Sequence, residues 1–361
     1  MQLSHPPFSA KVPVMIVDDS GFIRRIMQQI IEADPALEVI ASAENGAVAI
    51  EHRALKDVKV VILDIEMPVM DGLTALPKLL AKNPNLVVII ASTLTLRNAE
   101  ISLKALRLGA TDYLHKPSLA QSPDALAEFK VELCTKIKTL ARSRFDKKQS
   151  DSLETINRSP YPLRPLPILS PKVVVIGTST GGPQALLKVF EKVHSVPCPF
   201  LIVQHMPPKF TQMLAKQIME LTGIPAFEAE QGMIAEKNKI IIAPGNFHMK
   251  VVSEAGKMHI RLNQDPPQNH CRPSVDPLFE SAAEVYEGRL LGVMLTGMGN
   301  DGLKGSKKII EAGGTIIAQD ESTSIVWGMP KAVTEAGLCS AVIPLPEIYS
   351  SIESILSGKG V

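Results

Sequence analysis

Short, continuously apolar segments alternate with amphipathic segments along the chain from Val12 onward. Such apolar segments are typical of parallel strands that helices cover on both faces. The first series of predicted strands comprises residues 14–17, 38–41, 58–63, 86–91 and 112–114. Five such βα repeats, closed by a helix over about residues 124–142, predict a flavodoxin-like doubly wound sheet.

A charged and then proline-rich stretch follows this series. Five prolines between residues 142 and 172 disfavour a regular packed element, so the stretch is predicted to be an interdomain linker. A second α/β series begins at Val173, with predicted strands at residues 200–203, 239–242, 290–295 and 315–318. The pattern therefore predicts two doubly wound α/β domains with parallel sheets, flavodoxin-like at residues 12–142 and Rossmann-like at residues 171–361, joined by a Pro-rich linker at residues 143–170.

Composition narrows the class of protein. A formal net charge of +1 provides no broad basic surface, which argues against nucleic acid as a partner. The four cysteines, Cys134, Cys198, Cys271 and Cys339, form no C-x-x-C pair, which suits a reducing compartment. No apolar run approaches the roughly 20 residues that cross a bilayer, and the first residues lack the apolar stretch of a signal peptide. We therefore expect a cytoplasmic protein without membrane insertion.

Acidic side chains stand at the ends of two predicted strands of the first domain. Asp18 and Asp19 follow the first strand, and Asp64 follows the third. In a doubly wound sheet these ends lie side by side at the topological switch point. Crowded carboxylates repel, by about 4 kcal/mol for one pair at about 4 Å and an effective dielectric of about 20. A hard cation relieves this repulsion, so the all-oxygen set predicts a Mg²⁺ site.

Two further strand ends add a hydroxyl, Ser92, and a lysine, Lys116. Together with the carboxylates they predict a site that forms an acyl phosphate. Asp64 would be the nucleophile, Mg²⁺ and Lys116 would neutralise the phosphoryl oxygens, and Ser92 would sense the product. One acidic residue at a strand end is usually just solvated, but that interpretation does not explain this ordered set on five strands.

The segment GTSTGG, residues 177–182, places three hydroxyl side chains between glycines, after a predicted strand and before a predicted helix. It lacks the lysine of a P-loop and the spacing of a dinucleotide fingerprint. It does match G-x-S-x-G, the pattern of a nucleophile elbow, which favours Ser179. Most short glycine-flanked patterns are tight turns, so a serine nucleophile also requires a base and an acid elsewhere in the chain.

His205 directly follows the predicted strand at residues 200–203, and Asp301 is the carboxylate of the loop LTGMGNDG, which follows the strand at 290–295. Parallel neighbouring strands would bring both to the edge that carries Ser179. Backbone N–H groups of the same loop could bind an oxyanion. Three other histidines of this half are on segments interpreted as less regular, namely His248, His259 and His270. An α/β-hydrolase, the alternative, would need a late histidine after an acidic strand end.

Two other side chains of this half have reactive or charged groups, the thiol of Cys271 and the guanidinium of Arg272. Cys271 is adjacent to His270, but sequence neighbours rarely face each other, so Cys271 is interpreted as structural. Arg272 could bind an acidic face of a substrate or hold its own loop, and both alternatives stay open.

The first predicted domain resembles the receiver domain of two-component response regulators in the segments IVDDS, LDIEMPVMDG and YLHKP. The resemblance places the family's switch aromatic at Tyr113. The second resembles the catalytic domain of the CheB-type protein-glutamate methylesterases of chemotaxis, in the segments GTSTGGP, QHMPPKFT, IAPGNFHM, RPSVDPLF, LTGMGNDG and VWGMPKA. Two positions depart from the common pattern, Thr178 for alanine and Trp327 for phenylalanine.

The resemblance implies Ser179 as nucleophile, His205 as base and Asp301 as the residue that orients it. It further implies that the Met298 N–H binds the oxyanion and that Thr180 supports the histidine. The implied function is phosphorylation-activated hydrolysis of glutamyl methyl esters on chemoreceptors, releasing methanol, with deamidation of receptor glutamines.

The implied partners are methyl-accepting chemoreceptors as substrate and a chemotaxis histidine kinase as phosphodonor. Mg²⁺ would be the cofactor of the receiver domain, with Asp18, Asp19 and Asp64 as ligands, and the esterase domain would need none. The alternative is a response regulator that acts only by binding, for example to DNA, and a DNA-binding output would require a helix-turn-helix with a basic recognition helix.

Overall fold

The computed structural model describes residues 11–93, 95–116, 123–146, 161–166 and 170–358. The chain divides into two compact units, Met1–Glu154 and Thr155–Val361. Residues 147–160 and 167–169 of the predicted linker lie outside the described residues. Among the described helices, none combines the length and apolarity of a membrane span.

The first unit is a parallel sheet flanked by helices. Its strands are β1 (Val12–Val17), β2 (Leu37–Ala43), β3 (Val60–Asp64), β4 (Val87–Ser92) and β5 (Asp112–His115). Its α-helices are α1 (Gly21–Glu32), α2 (Gly46–Glu51), α3 (Gly72–Lys82), α4 (Leu96–Arg107) and α5 (Pro123–Asp146), with a 3₁₀ turn at Arg53–Lys56. The strand order is β2-β1-β3-β4-β5, the flavodoxin-like order that the sequence predicts.

Burial explains why the strands of this unit read as continuously apolar. All five residues of β3 and all six of β4 are buried, since helices cover both faces of the sheet. Helix α1 begins where the Ser20 side chain accepts a hydrogen bond from the Ile23 N–H, at 3.3 Å. The polar ends of β1, β3 and β4 thereby meet at one edge of an apolar sheet.

The second unit contains a seven-stranded parallel sheet and a separate antiparallel pair. The sheet strands are β6 (Val173–Thr178), β7 (Phe200–Gln204), β8 (Ala226–Glu228), β9 (Ile240–Ile242), β12 (Leu290–Met294), β13 (Thr315–Gln319) and β14 (Ala341–Ile343), in the order β14-β13-β12-β6-β7-β9-β8. The antiparallel pair is β10 (His248–Glu254) with β11 (Lys257–Asn263). The helices are α6 (Gly182–Phe190), α7 (Phe210–Thr222), α8 (Val275–Tyr286), α9 (Leu303–Glu311), α10 (Met329–Glu335) and α11 (Ile348–Leu356), with a 3₁₀ turn at Leu345–Glu347.

The sequence did not predict the antiparallel pair or the short strands β8 and β14. The interpretation of His248 and His259 as residues of irregular segments is wrong, because they lie on β10 and β11. Ala255 and Gly256 join these strands with positive φ angles of 49° and 76°. Ala-Gly is not one of the strong hairpin signals, which is why this turn escapes a reading of the sequence.

Residues 143–146 of the predicted linker form the end of α5, and residues 161–166 are bonded to the second unit. The Arg164 N–H donates to the Cys339 carbonyl at 2.9 Å, and the Ser340 hydroxyl donates to the Pro165 carbonyl at 3.2 Å. Residues 161–166 therefore lie along the strand-end region near β14. The linker boundaries at residues 143 and 170 stay a prediction.

Candidate active site

Three parallel strands bring the predicted serine, histidine and aspartate to one edge of the seven-stranded sheet. Ser179 directly follows β6, His205 directly follows β7, and Asp301 lies between β12 and α9. In the sheet, β6 lies between β12 and β7. Because neighbouring parallel strands end at the same edge, His205 and Asp301 are in contact although they are 96 residues apart.

The turn that carries Ser179 is fixed through its backbone. The Ser179 N–H donates to the Thr296 carbonyl at 3.0 Å, and its carbonyl accepts from the Gln204 side-chain amide at 2.9 Å. A Cβ on Gly182 would lie 1.8 Å from the Gln204 side-chain oxygen, so this glycine is what lets the buried Gln204 reach the turn. The Ser179 side chain is left half-exposed between the two neighbouring strand ends.

His205 is held by Asp301 through one ring nitrogen. The His205 Nε2 lies 2.7 Å from the Asp301 Oδ2, and the side chains are only 11% and 2% exposed. A carboxylate accepts hydrogen bonds, so Nε2 carries the proton and Nδ1 is the nitrogen with a free lone pair. Nδ1 is therefore the basic nitrogen of this site.

Asp301 accepts hydrogen bonds from several donors besides His205. The donors are the Ser274 hydroxyl at 2.7 Å, the Val275 N–H at 2.7 Å, the Asn269 side-chain amide at 2.8 Å, the Gly302 N–H at 2.9 Å and the Asp276 N–H at 3.3 Å. Val275 and Asp276 begin α8, so the carboxylate also lies at the positive end of that helix. Burial would raise the pKa of Asp301, but His205 and these donors hold it well below its usual range. Asp301 is therefore an anion at neutral pH.

A second buried carboxylate lies behind the first. Asp276 accepts from the Gly305 N–H at 2.7 Å, and the Asn269 amide bridges it, at 3.1 Å, to Asp301. Burial raises the pKa of Asp276, and the charge of Asp301 adds to the effect against the hydrogen bond from Gly305. No sequence pattern pointed to three of these residues, Asn269, Ser274 and Asp276, which all lie in the segment NHCRPSVD.

The basic nitrogen of His205 contacts a thiol. The Cys271 Sγ lies 3.3 Å from Nδ1, and no hydrogen bond joins the Ser179 hydroxyl to His205 in the described chain. Burial would lower the pKa of His205, but Cys271 and Asp301 together raise it above its ordinary value. Cys271 is thus not isolated from the site: it faces His205, and not its neighbour His270.

Hydrogen bonds to both backbone groups of Gly297 hold the loop after β12 in place. The Gly297 N–H donates to the Val326 carbonyl at 3.0 Å, and its carbonyl accepts from Gly328 and Met329 at 3.0 and 2.9 Å. The next N–H, that of Met298, donates to no acceptor within the described residues. A backbone N–H held in place without a partner suits the oxyanion role predicted for Met298.

Two further sequence predictions concern Thr180 and Arg272. The Thr180 carbonyl accepts from the Thr296 hydroxyl at 2.9 Å, while no hydrogen bond between the Thr180 side chain and His205 is present among the described residues. The support of His205 by Thr180 stays a prediction. Arg272 donates to the Asn246 side chain at 2.7 Å and to the Gln264 carbonyl at 3.0 Å, which favours the interpretation that it holds its loop.

In the first unit, the predicted phosphorylation residues lie together at one edge of the sheet. Ligand atoms of Asp18, Asp19 and Asp64 all lie within 4.8 Å of one another. The Lys116 Nζ lies 2.6 Å from both Asp18 Oδ2 and Asp64 Oδ2. Burial raises the pKa of Asp64, although the ammonium of Lys116 works in the opposite direction. Three clustered carboxylates are a donor set that fits a hard divalent cation.

Ser92 and Tyr113 occupy the neighbouring strands. Ser92 ends β4 beside Asp64, and its hydroxyl accepts from the Ser102 hydroxyl at 3.0 Å. Tyr113 on β5 is 5% exposed, and the Lys136 ammonium lies 5.1 Å from its ring centroid. Asp64 and Ser92 thus end β3 and β4, and Lys116 directly follows the next strand of the sheet, β5.

Each of the two units matches a known protein family. A family model described as CheB methylesterase matches residues 174–352, and one described as Response regulator receiver domain matches residues 14–127. The solved structure of the Thermotoga maritima CheB methylesterase catalytic domain is 40% identical, with a TM-score of 0.50, and covers 51% of this chain and 98% of that chain. The second unit is therefore not the DNA-binding output considered as the alternative.

Relatives match over almost the whole chain. A protein of Rhodospirillum rubrum named protein-glutamate methylesterase/protein-glutamine glutaminase 1 is 46% identical over 364 residues, which cover 94% of each chain. A protein-glutamate methylesterase/protein-glutamine glutaminase of Azospirillum brasilense is 46% identical and covers 98% of this chain and 95% of that one. The fold class and the family predicted from the sequence are confirmed. This chain belongs to the CheB family of methylesterases, with a response regulator receiver domain ahead of the methylesterase domain.

Proposed function

We propose that this protein is a phosphorylation-activated protein-glutamate methylesterase that acts in chemotaxis adaptation. It hydrolyses glutamyl methyl esters on chemoreceptors and releases methanol. The observation that carries the proposal is the buried His205–Asp301 pair, at 2.7 Å, on the strand end next to that of Ser179. A histidine oriented by a buried carboxylate beside a half-exposed serine is the arrangement that activates a hydroxyl nucleophile.

The hydrolysis begins with formation of an acyl-enzyme. The Ser179 hydroxyl attacks the ester carbonyl while His205 Nδ1 accepts its proton. The Met298 N–H donates to the oxyanion of the tetrahedral intermediate, and Asp301 stabilises the imidazolium that forms. His205 then returns the proton to the methoxide oxygen, so that methanol leaves and glutamyl-Ser179 remains.

Water completes the reaction along the same route. His205 removes a proton from the attacking water, and the proton passes to Ser179 as the glutamate carboxylate is released. A side-chain amide can enter the same sequence, with ammonia leaving in place of methanol. We therefore include deamidation of receptor glutamines in the proposed activity.

The receiver domain controls the rate of ester hydrolysis through its phosphorylation. Asp64 accepts a phosphoryl group from a histidine kinase, and Lys116 neutralises a phosphoryl oxygen after release from its two carboxylate partners. Asp18, Asp19 and Asp64 would hold Mg²⁺, which supplies positive charge against the phosphoryl oxygens. Ser92 senses the product, and Tyr113, on the next strand, carries the change toward the surface.

The proposed partners are thus methyl-accepting chemoreceptors and a histidine kinase, without nucleic acid. The proposed compartment is the cytoplasm, a suggestion supported by four free thiols. The esterase domain works without a cofactor, because the serine, histidine, aspartate and backbone N–H supply every group that the hydrolysis needs.

Methanol release from a methylated chemoreceptor fragment tests the proposal. We expect release by the full-length protein, and at least tenfold faster release when Mg²⁺ and a small acyl phosphate are added. A tenfold activation corresponds to only about 1.4 kcal/mol, which the new charge-assisted hydrogen bonds of one acyl phosphate can supply. An absence of methanol in both conditions would contradict the esterase, and equal rates in both would contradict the control by phosphorylation.

A further inference from the structure

Cys271 contacts the nitrogen on which the proposed hydrolysis depends. It lies on the loop before α8, with its Sγ 3.3 Å from His205 Nδ1. The other ring nitrogen is bonded to Asp301 at 2.7 Å, which fixes the ring so that Nδ1 faces the thiol. The site therefore contains a thiol–imidazole pair that the hydrolysis of an ester does not use.

The other three cysteines lack these features. Cys134, Cys198 and Cys339 are buried, whereas Cys271 is half-exposed. Burial raises the pKa of the Cys134 thiol and raises those of Cys198 and Cys339 to about 12. The thiolate is the reactive form of cysteine, and its formation is favoured by a neighbouring imidazolium and by access to solvent. Of the four thiols, that of Cys271 is therefore expected to be the most reactive.

We propose that Cys271 is a modification site for peroxides, at which His205-assisted oxidation to a sulfenic acid stops ester hydrolysis until a thiol reduces it. The proposed reactivity of Cys271 rests on the contact of its thiol with His205 and on its partial exposure to solvent. The proposed loss of hydrolysis rests on the proposed function.

The oxidation is balanced by the two side chains and the peroxide. His205 Nδ1 takes the thiol proton, and the thiolate sulfur attacks one oxygen of hydrogen peroxide. The S–O bond forms as the O–O bond breaks, and the hydroxide that leaves takes the proton from the imidazolium to become water. Sulfur loses two electrons, the peroxide gains them, and His205 returns to its neutral form.

The oxidised side chain would block the base. A sulfenic acid adds an oxygen to a sulfur that already contacts Nδ1, and its O–H donates to that nitrogen. The Ser179 hydroxyl then has no base to accept its proton. Two equivalents of a small thiol restore Cys271, with release of water and the disulfide of the added thiol.

The first arm of the test measures sulfenic acid formation, independently of ester hydrolysis. The full-length protein is treated with hydrogen peroxide at pH 7 in the presence of a cyclic 1,3-diketone probe, and labelled peptides are quantified by mass spectrometry. We expect label on Cys271 and a decrease of about tenfold in its rate in His205→Ala and His205→Gln, because an unassisted thiol is only a few per cent ionised at this pH. His270→Asn is the matched control, since asparagine tolerates the positive φ of 61° at that position.

The second arm measures methanol release before and after peroxide, with each variant compared with its own untreated sample. We expect the wild type and Cys198→Ala to lose at least nine-tenths of their activity and to regain it with dithiothreitol, and Cys271→Ser to keep its own level. Label on other cysteines in place of Cys271, or labelling of Cys271 at the wild-type rate in both His205 variants, would overturn the proposed site. Equal inactivation of Cys271→Ser would overturn the block of hydrolysis. Label on Cys271 without methanol release from any sample would instead count against the proposed function alone.

Discussion

Ser179→Ala and His205→Ala are each expected to lower the rate of methyl ester hydrolysis by about 10⁶-fold, the loss found when a serine–histidine unit loses either member. The physical reason is that each residue is inactive without the other. Ser179 loses no proton at neutral pH without a base, and His205 has no nucleophile to activate without the serine. The measurement is the rate of methanol release per protein from a methylated receptor fragment.

The double variant is the sharper form of this prediction. If Ser179 and His205 act as one unit, the Ser179→Ala/His205→Ala variant should be no slower than either single variant. Ser253→Ala and His259→Ala are matched controls, since they change the same residue types on β10 and β11, which are not part of the seven-stranded sheet that carries Ser179 and His205. A double variant whose loss is the product of the two single losses would show that the residues act independently.

Asp64→Asn is expected to abolish phosphorylation of the receiver domain. The asparagine amide is not a nucleophile toward a phosphoryl group, and no other carboxylate of the cluster ends β3 beside Ser92 and Lys116. The measurement is the intact mass of the protein after incubation with Mg²⁺ and a small acyl phosphate. Removal of Mg²⁺ with a chelator should also prevent the reaction in the wild type, because three carboxylates without a cation repel the phosphodonor.

Asp71→Asn provides the matched control for this variant. Asp71 begins α3 by accepting from the Thr74 N–H at 2.7 Å, and asparagine serves equally well at such a position. The control should be phosphorylated like the wild type. Phosphorylation that persists in Asp64→Asn would assign the reaction to another residue. The Asp64→Asn variant should retain the unstimulated rate of methanol release and lose its response to the phosphodonor.

The sequence predicts those parts of the structure that follow from strand ends. Asp64 and Ser92 could be placed beside Lys116 because they end two strands of one parallel sheet and Lys116 directly follows the next strand. Ser179 and His205 could be placed together for the same reason. Once the order of the strands is fixed, the pleated sheet leaves little freedom in where the following residue lies.

Residues held by loops and helix starts could not be predicted in this way. Asn269, Ser274 and Asp276 reach Asp301 only because α8 begins beside the loop after β12, a relation of tertiary packing that has no period in the sequence. Cys271 was interpreted from its sequence neighbour His270, whereas its partner His205 is 66 residues away. The hairpin of β10 and β11 escaped because its turn is Ala-Gly.

Covalent labelling with a serine-reactive fluorophosphonate tests the assignment of Ser179 as the nucleophile most directly. The reagent identifies the activated hydroxyl, and the experiment does not require the receptor. We expect one adduct on the wild-type protein, located on Ser179 by peptide mass spectrometry. Labelling should be absent in Ser179→Ala, strongly slowed in His205→Ala, and unchanged in Ser253→Ala. An adduct on a different residue, or labelling of Ser179→Ala at the wild-type rate, would contradict the assignment of Ser179 as the nucleophile.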